Sequence, residues 1–221
     1  MNYLLIVVVI VVVMALLLFT KSKDKSEPIP DDMMNPQAWE VGPIYDGVNV
    51  STGVALHPIK VDGGWAIDIP LYESGSVHYV TMPTGSLAGK TKVTLVCELV
   101  MADGLKLRPV KSPDSPSLLT LYFQRSGDNW TSAGKYEAYR WYASFATQSN
   151  LSAREYTIEA RFDDNWTAIM SSSRLTHPEA FADALANAGR IGFVLGGGDG
   201  LGHGVYATGP ARLIVKSFAV T

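Results

Sequence analysis

Aromatic side chains that could bind a ligand or a partner are concentrated in one short segment, which reads Tyr-Glu-Ala-Tyr-Arg-Trp-Tyr and ends at Tyr142. If the segment is a strand, alternation places Tyr136, Arg140 and Tyr142 on one face, with Tyr139 and Trp141 on the other. Amphipathic rings mixed with charged side chains are suited to a sugar-binding platform or to a protein interface. The alternative is that most of these rings fill the core of a β-domain, and the sequence leaves both interpretations open.

A glycine-rich segment, residues 196–204, reads Gly-Gly-Gly-Asp-Gly-Leu-Gly-His-Gly. A phosphate-binding loop needs a Lys and a following helix, whereas this segment has no Lys and precedes a strand-like run. The same reasoning excludes a dinucleotide-binding fingerprint. Two interpretations stay open: a flexible connection between strands, or a loop that presents Asp199 and His203 to a ligand or partner.

Metal and nucleophile patterns are missing from the sequence. The four histidines, none of which has a metal-binding spacing, are His57, His78, His177 and His203. A single Cys gives no zinc site, and no Gly-x-Ser-x-Gly motif marks a catalytic serine. The sequence therefore predicts no metal, no cofactor and no catalytic residue, and it predicts that the chain is not an enzyme.

Two further features bear on sugar chemistry. Glycoside hydrolysis needs two carboxylates on opposite sides of the bond, and nothing in the sequence pairs its strand-borne glutamates, which are Glu98, Glu137, Glu155 and Glu159. The tetrapeptide Asp-Asn-Trp-Thr occurs twice, with Trp130 and with Trp166. We expect both copies to be turns whose indole packs back on a sheet.

The overall composition restricts the class of protein. The chain has 221 residues, of which 47% are apolar and 18% charged, with a formal net charge of −3. These values exclude a disordered tail, a collagen-like fibre and a disulfide-rich miniprotein. The slightly acidic balance also argues against nucleic acid as a partner, because nucleic-acid binding needs a basic face.

Residues 1–20 predict a single transmembrane helix. From Tyr3 to Thr20 there is no charged residue, Pro or Gly, and 18 residues at about 1.5 Å each nearly cross the hydrocarbon layer. The apolar anchor residues include Tyr3, Leu4, Val9, Leu17 and Phe19. A cleaved signal peptide is the alternative, but it would need a basic start and a small-residue cleavage site.

The sequence after the anchor bears on topology. Lys21, Lys23 and Lys25 follow the apolar run, and the positive-inside tendency favours a cytoplasmic domain at a bacterial inner membrane. Residues 21–38 are polar and contain three prolines, which predicts an extended linker. A folded domain is then expected over residues 39–221.

Short runs rich in Val, Ile, Tyr, Phe and Thr predict strands, separated by turn-forming clusters. Trp65, Ile67 and Ile69 alternate in one run. Another places five side chains on one face: Val93, Leu95, Cys97, Leu99 and Met101. With few helices between them, such strands predict an all-β, antiparallel two-sheet sandwich of the jelly-roll type.

One short helix is predicted over Pro178–Ala188. Thr176 and Glu179 have the spacing of a capping box, a proline occupies the first helical position, and Gly189 ends the helix. Its apolar residues, Phe181 among them, share one face and are expected to pack on the sandwich.

The final run, Ala211–Val220, follows a Gly-rich loop and Phe193. It resembles the last strands of jelly-roll sandwiches, among them carbohydrate-binding modules and lectin-like domains. The resemblance covers only the end of the chain and implies a fold, not a ligand. The layout of one short span and an extrinsic β-domain is similar to accessory subunits of bacterial respiratory and photosynthetic complexes.

These observations lead to two functional hypotheses. The first is a non-catalytic, membrane-anchored sandwich that braces a larger membrane complex, with the bilayer and other membrane subunits as partners. Contact would be made through the Tyr136–Tyr142 strand or the Gly196–Gly204 loop. The alternative is a membrane-tethered carbohydrate-binding module, with a glycan as its ligand.

Overall fold

A computed structural model describes residues 32–170, 172–198 and 200–221. In these ranges the chain forms sixteen strands, one α-helix and three 3₁₀-helices. The strands are β1 (Glu40–Gly42), β2 (Ile44–Tyr45), β3 (Val48–Asn49), β4 (Ile59–Val61), β5 (Gly64–Ile69), β6 (Tyr79–Pro83), β7 (Lys92–Met101), β8 (Leu107–Pro109), β9 (Ser117–Arg125), β10 (Arg140–Tyr142), β11 (Gln148–Ser149), β12 (Arg154–Arg161), β13 (Thr167–Ala168), β14 (Ala188–Gly197), β15 (Val205–Ala207) and β16 (Ala211–Val220). The α-helix, α1, is Pro178–Ala186, and the 3₁₀-helices are Pro36–Ala38, Gly134–Ala138 and Ser144–Ala146.

Two antiparallel sheets contain most of the strands. The larger has seven strands in the order β1-β6-β14-β9-β10-β13, with β11 also paired to β9. The smaller has five strands in the order β12-β7-β16-β5-β4. The prediction of a mostly β protein with antiparallel sheets and one helix is confirmed.

One hydrophobic cluster is built from both sheets. Leu121, Phe123 and Phe193 come from the larger sheet, while Leu95 and Trp65 come from the smaller one. The alternation predicted for β5 and β7 is present, because their apolar positions are buried and the positions between them are mostly more exposed. Each fully buried Leu or Phe stabilises the fold by about 1.5–3 kcal/mol relative to exposure.

The helix differs from its prediction at both ends. It ends at Ala186, and Ala188 already belongs to β14. The predicted capping box does not form: His177 is the N-cap residue, and no side-chain hydrogen bond caps this end of the helix. The Thr176 hydroxyl instead bonds with the Ser173 amide at 2.9 Å, within a turn that precedes the helix. Phe181 is buried against the core as expected.

No helix in the described ranges is long and apolar enough to cross a membrane. The predicted anchor, residues 1–20, lies outside those ranges, as does the linker up to residue 31. Residues 32–38, which the sequence assigns to the linker, contact the folded domain. Met33 and Met34 pack against the core, and the Trp39 indole donates to the Met33 carbonyl at 2.8 Å.

Candidate functional site

The aromatic segment that the sequence predicts as one long strand is mostly not a strand. Gly134–Ala138 is a 3₁₀-helix, and only the three residues of β10 pair with β9. The backbone leaves the extended conformation because Gly134 has a φ of 58° and Tyr136 N–H bonds to the Ala133 carbonyl. As a result, the rings of this segment do not share one platform.

Trp141 lies in the core. Its side chain is fully buried, its indole donates to the Ala138 carbonyl at 2.8 Å, and it packs edge-to-face on Phe181 with centroids 4.9 Å apart. Tyr136 and Tyr139 pack on each other at 4.9 Å, and the Arg125 guanidinium lies 4.6 Å from the Tyr139 ring centre. The structure therefore separates these three rings from Arg140 and Tyr142.

Arg140 and Tyr142 point to the outer face of the larger sheet, away from the core shared with the smaller sheet. There Tyr142 joins Tyr79 from β6 and Tyr122 from β9 in a second buried cluster. The Tyr79 and Tyr142 hydroxyls are 2.9 Å apart and hydrogen bonded. Burial raises the pKa of all three tyrosines above the ordinary value, and the Tyr142 hydrogen bond opposes this rise at Tyr79. The hydroxyls therefore remain protonated at neutral pH.

Trp130 lies over this tyrosine cluster. Its ring meets Tyr79 edge-to-face at 5.4 Å, and the Arg140 guanidinium lies 4.8 Å from the ring centre. The ring is half-buried, in contrast to the core tryptophans. Trp130 has a φ of 64°, a conformation that a bulky residue adopts only where the surroundings impose it.

Asp128 positions both the Trp130 backbone and the Arg140 guanidinium. One carboxylate oxygen accepts a hydrogen bond from the Trp130 amide at 3.1 Å. The other accepts from the Gln124 side chain at 2.9 Å and lies 3.0 Å from Nε of Arg140. The side chains of Arg140 and Asp128 are 5% and 0% exposed, so this is a buried ion pair. Arg140 also donates to the Ser132 hydroxyl.

Two adjoining cavities extend along this outer face, with volumes of about 380 and 460 Å³. Both are lined by Pro43, Tyr79 and Trp130, so the two cavities meet at these residues, and together they are called the cleft. The first half is lined further by Glu40, Thr81, Gln124 and Arg190, among others. The second half is lined by Arg140, Tyr142, Leu201 and two histidines. Volumes of this size are typical of small-molecule sites.

The glycine-rich segment forms one end of the cleft. A side chain at Gly202 would place its Cβ 2.5 Å from the Tyr79 hydroxyl, and one at Gly204 would lie 2.5 Å from the His78 ring. The glycines therefore let the backbone approach the cleft floor closely. His203 is exposed and lines the second half. The other predicted residue of this loop, Asp199, lies outside the described residues.

His78, the residue before β6, is held by Ser76 of its own segment and by the glycine-rich loop. Its Nδ1 lies 3.2 Å from the Gly202 carbonyl oxygen, and its Nε2 lies 2.9 Å from the Ser76 hydroxyl. Burial lowers the pKa of His78, and the Gly202 carbonyl partly opposes that effect. Burial also lowers the pKa of His203, helped by the positive charge of Lys111.

Sequence reasoning did not identify several residues of the cleft. No motif singles out Tyr79 or His78, and the sequence predicts Trp130 only as a turn residue that packs back on a sheet. The signal that could have identified Trp130 is the Gly127 that precedes its turn, because a left-handed glycine redirects the chain. The strand-borne glutamates lie elsewhere: Glu98, Glu155 and Glu159 form ion pairs with Lys216 or Lys92 on the smaller sheet.

No protein-family model matches the chain, and no curated protein matches it. A similar solved structure is a mutant of Xylanase10C from Cellvibrio japonicus in complex with xylopentaose. The two chains are 13% identical, and the match covers 86% of this chain and 27% of that chain with a TM-score of 0.42. This chain thus spans about a quarter of the length of the xylanase.

The prediction that this chain is not an enzyme has no support from the comparison, in which the similar protein is a xylanase. That prediction is withdrawn. At a TM-score of 0.42 the likeness supplies no argument about the activity or ligand of this chain.

Proposed function

We propose that the domain binds a carbohydrate in the cleft on the outer face of its larger sheet. The observation that supports this most is the half-buried Trp130, held by Arg140 and Asp128 over a floor of tyrosine hydroxyls. A sugar presents C–H groups on its ring faces and hydroxyls around its edge. An indole face packs on the former, and hydroxyl, amide and guanidinium groups bond with the latter.

A finer description of the fold belongs to the same proposal. Two sheets that share one core have the layout of a β-sandwich, and we propose that it is of the jelly-roll type. A cleft on the outer face of one sheet leaves that shared core undisturbed. Ligand binding would then need no rearrangement of the buried side chains that stabilise the domain.

The predicted anchor makes this a membrane-tethered module. Residues 1–20 would hold the domain at a bilayer and raise its local concentration at a surface glycan, so that modest affinity suffices. The lysines after the anchor favour the cytoplasm, whereas a glycan-binding role favours export. Protease treatment of spheroplasts decides between them: digestion of the domain from outside supports export, and protection argues against a surface glycan.

The binding proposal is tested with the full chain purified in mild detergent and applied to a glycan array. We expect reproducible binding to a related group of glycans that is lost in Trp130→Ala. Tyr72→Ala is the matched control, because Tyr72 is 67% exposed and does not line the cleft. The proposal is wrong if the chain binds no glycan, or if both variants lose binding equally. Trp141→Ala would be uninformative, since its ring lies in the core.

A second candidate is an accessory subunit that braces a membrane complex. It is favoured by exposed apolar side chains on the β2–β3 hairpin, where Ile44, Tyr45 and Val48 are 41%, 44% and 66% exposed. Such an exposed apolar surface is suited to contact with neighbouring subunits. Purification from membranes in mild detergent tests this: a stable set of co-purifying subunits supports it, and a chain that always migrates alone as a monomer contradicts it.

A further inference from the structure

The charged side chains that line the cleft are all engaged within the protein. Among the described lining residues they are Glu40, Arg125, Asp128, Arg140 and Arg190. Their ion pairs are Arg140–Asp128 at 3.0 Å, Arg190–Glu40 at 3.3 Å, and Arg125–Asp183 at 2.7 Å. Asp183 lies outside the lining, so the described lining itself carries three arginines and two carboxylates, and each of these five side chains is ion-paired.

This pairing disfavours an anionic ligand. To bind at Arg140, a ligand carboxylate or sulfate would have to displace Asp128, whose side chain is completely buried. That displacement would leave a buried carboxylate without its partner, which is strongly unfavourable. A hydroxyl group needs no such exchange, because it can donate to a carboxylate oxygen or accept from a guanidinium without breaking the pair.

The two histidines that line the second half of the cleft, His78 and His203, are also uncharged at neutral pH. His78 is satisfied as a neutral ring, which donates to the Gly202 carbonyl and accepts from the Ser76 hydroxyl. Because burial lowers the pKa of His78 and of His203, neither ring carries a charge at neutral pH. The second half therefore gains no positive charge from them under ordinary conditions.

The shape of the cleft bears on ligand length. Trp130 and Tyr79 line both cavities, whereas Ile44 lines only the first and Leu201 only the second. Each half alone has the volume of a small-molecule site. A ligand that uses the whole cleft therefore has to extend to both sides of the indole.

Building on the carbohydrate-binding function proposed above, we propose that the ligand is an uncharged oligosaccharide that spans both halves, with Trp130 contacting a sugar unit at the middle. Asp128 and Arg140 then act as positioning residues, since they orient the indole through each other. Binding energy comes from ring contact and hydroxyl hydrogen bonds along the chain, not from ion pairing.

The first test is the glycan array, sorted by charge and by chain length and followed by calorimetric titration of the best-bound series. We expect neutral glycans to bind and affinity to rise by about tenfold or more from one sugar unit to several. Preference for uronic-acid or sulfated glycans, or a monosaccharide that binds as tightly as the longer chain, overturns this inference and leaves carbohydrate binding intact. Binding of no glycan at all overturns the carbohydrate-binding function as well.

The second test uses one variant in each half. Ile44→Ala and Leu201→Ala are each expected to weaken binding of the long neutral chain by about three- to tenfold, whereas Tyr72→Ala leaves it unchanged. Ile44 and Leu201 are partly or largely exposed, so both variants are expected to fold, which thermal unfolding verifies. If either variant binds the long chain as the wild type does, the ligand does not span both halves, and this inference is wrong.

Discussion

Segments 125–131 and 161–167 share five of seven residues, both reading Arg-x-x-Asp-Asn-Trp-Thr, yet their tryptophans lie in opposite environments. Each segment starts at the last residue of a strand, β9 or β12. Comparing the two segments shows which features the turn motif specifies and which depend on the surrounding fold.

In the second segment the tryptophan belongs to the core. Trp166 is fully buried, stacks on Phe162 with centroids 5.7 Å apart, and donates from its indole to the Arg161 carbonyl at 2.8 Å. Asp164 accepts from the Arg161 amide at 2.9 Å and closes the turn. Its role is local, because the carboxylate is not part of a buried ion pair.

In the first segment the tryptophan belongs to the cleft. Asp128 accepts from the Trp130 amide as an Asx turn does, but its second oxygen faces the buried Arg140. The two unmatched positions differ in kind: Phe162 and Asp163 in one segment, Ser126 and Gly127 in the other. Gly127 has a φ of 74°, whereas Phe162 anchors its turn in the core. The same tetrapeptide is thus turned outward at one site and inward at the other.

The largest difference is expected when the tryptophans are removed. Trp166→Ala should destabilise the domain by about 3–5 kcal/mol, because it leaves a large cavity in the core. Trp130→Ala should cost about 1 kcal/mol or less, mainly the contact with Arg140. Urea unfolding followed by circular dichroism measures both. Similar losses for the two variants would show that the two tryptophans do not differ in structural role.

The next largest effect concerns the two aspartates. Asp128→Asn leaves the buried Arg140 without its counter-charge and should cost about 3 kcal/mol. Asp164→Asn keeps an acceptor for the Arg161 amide and should cost about 1 kcal/mol or less. The same unfolding measurement compares them. A stable Asp128→Asn protein with unchanged glycan binding would argue against the positioning role given to Asp128.

A smaller effect is expected at the residue that directs the first turn. Gly127→Ala forces an L-residue into a left-handed conformation and should cost about 1–2 kcal/mol, with weaker ligand binding because Trp130 shifts. A new Cβ meets no atom within 4 Å there, so any loss reflects backbone strain alone. Asp163→Ala, at the equivalent position, should change stability by about 0.5 kcal/mol or less. Equal effects at the two positions would remove glycine as the cause.

The smallest expected effect is a pH dependence of the free energy of unfolding that is due to His78, on the cleft side of the domain. Burial lowers the pKa of His78 in the folded state, so the unfolded chain, with the ordinary pKa of 6.5, binds the proton more readily. The stability due to neutral His78 is complete above pH 6.5 and is lost as the pH falls below that value. Unfolding at about pH 7.5 and about pH 5.5 should show a smaller difference for His78→Gln than for the wild type. An unchanged difference would assign the dependence to other groups.

Much of the secondary structure followed from short-range patterns. The alternation in β5 and β7 identified strands with one buried face, since a side-chain period of two is a local property. The aromatic segment before Tyr142 was mispredicted because its alternation is compatible with a strand but its glycine and turn hydrogen bonds prevail. The predicted C-terminal end of α1 lay two residues too far along the chain, because Ala188 belongs to β14 and pairs with Arg125.

The candidate site was predictable only in part. Arg140, Tyr142 and His203 were singled out from residue type, and the structure places all three along one cleft. Trp141 was expected to share that role, but alternation along β10 turns it to the core. Tyr79 carried no signal of its own, because its importance comes from neighbours that are distant in the chain.

The amino-acid sequence by itself determined where most of the strands and turns form, since hydrophobic alternation and Asx turns act between residues a few positions apart. Only the tertiary structure decided that Trp130 faces outward and that the hydroxyls of Tyr79 and Tyr142 meet. The two tyrosines come from β6 and β10, which lie in the same sheet only because β14 and β9 are inserted between them. That strand order depends on how two sheets bury their apolar faces together, a property of the whole core that no local pattern encodes.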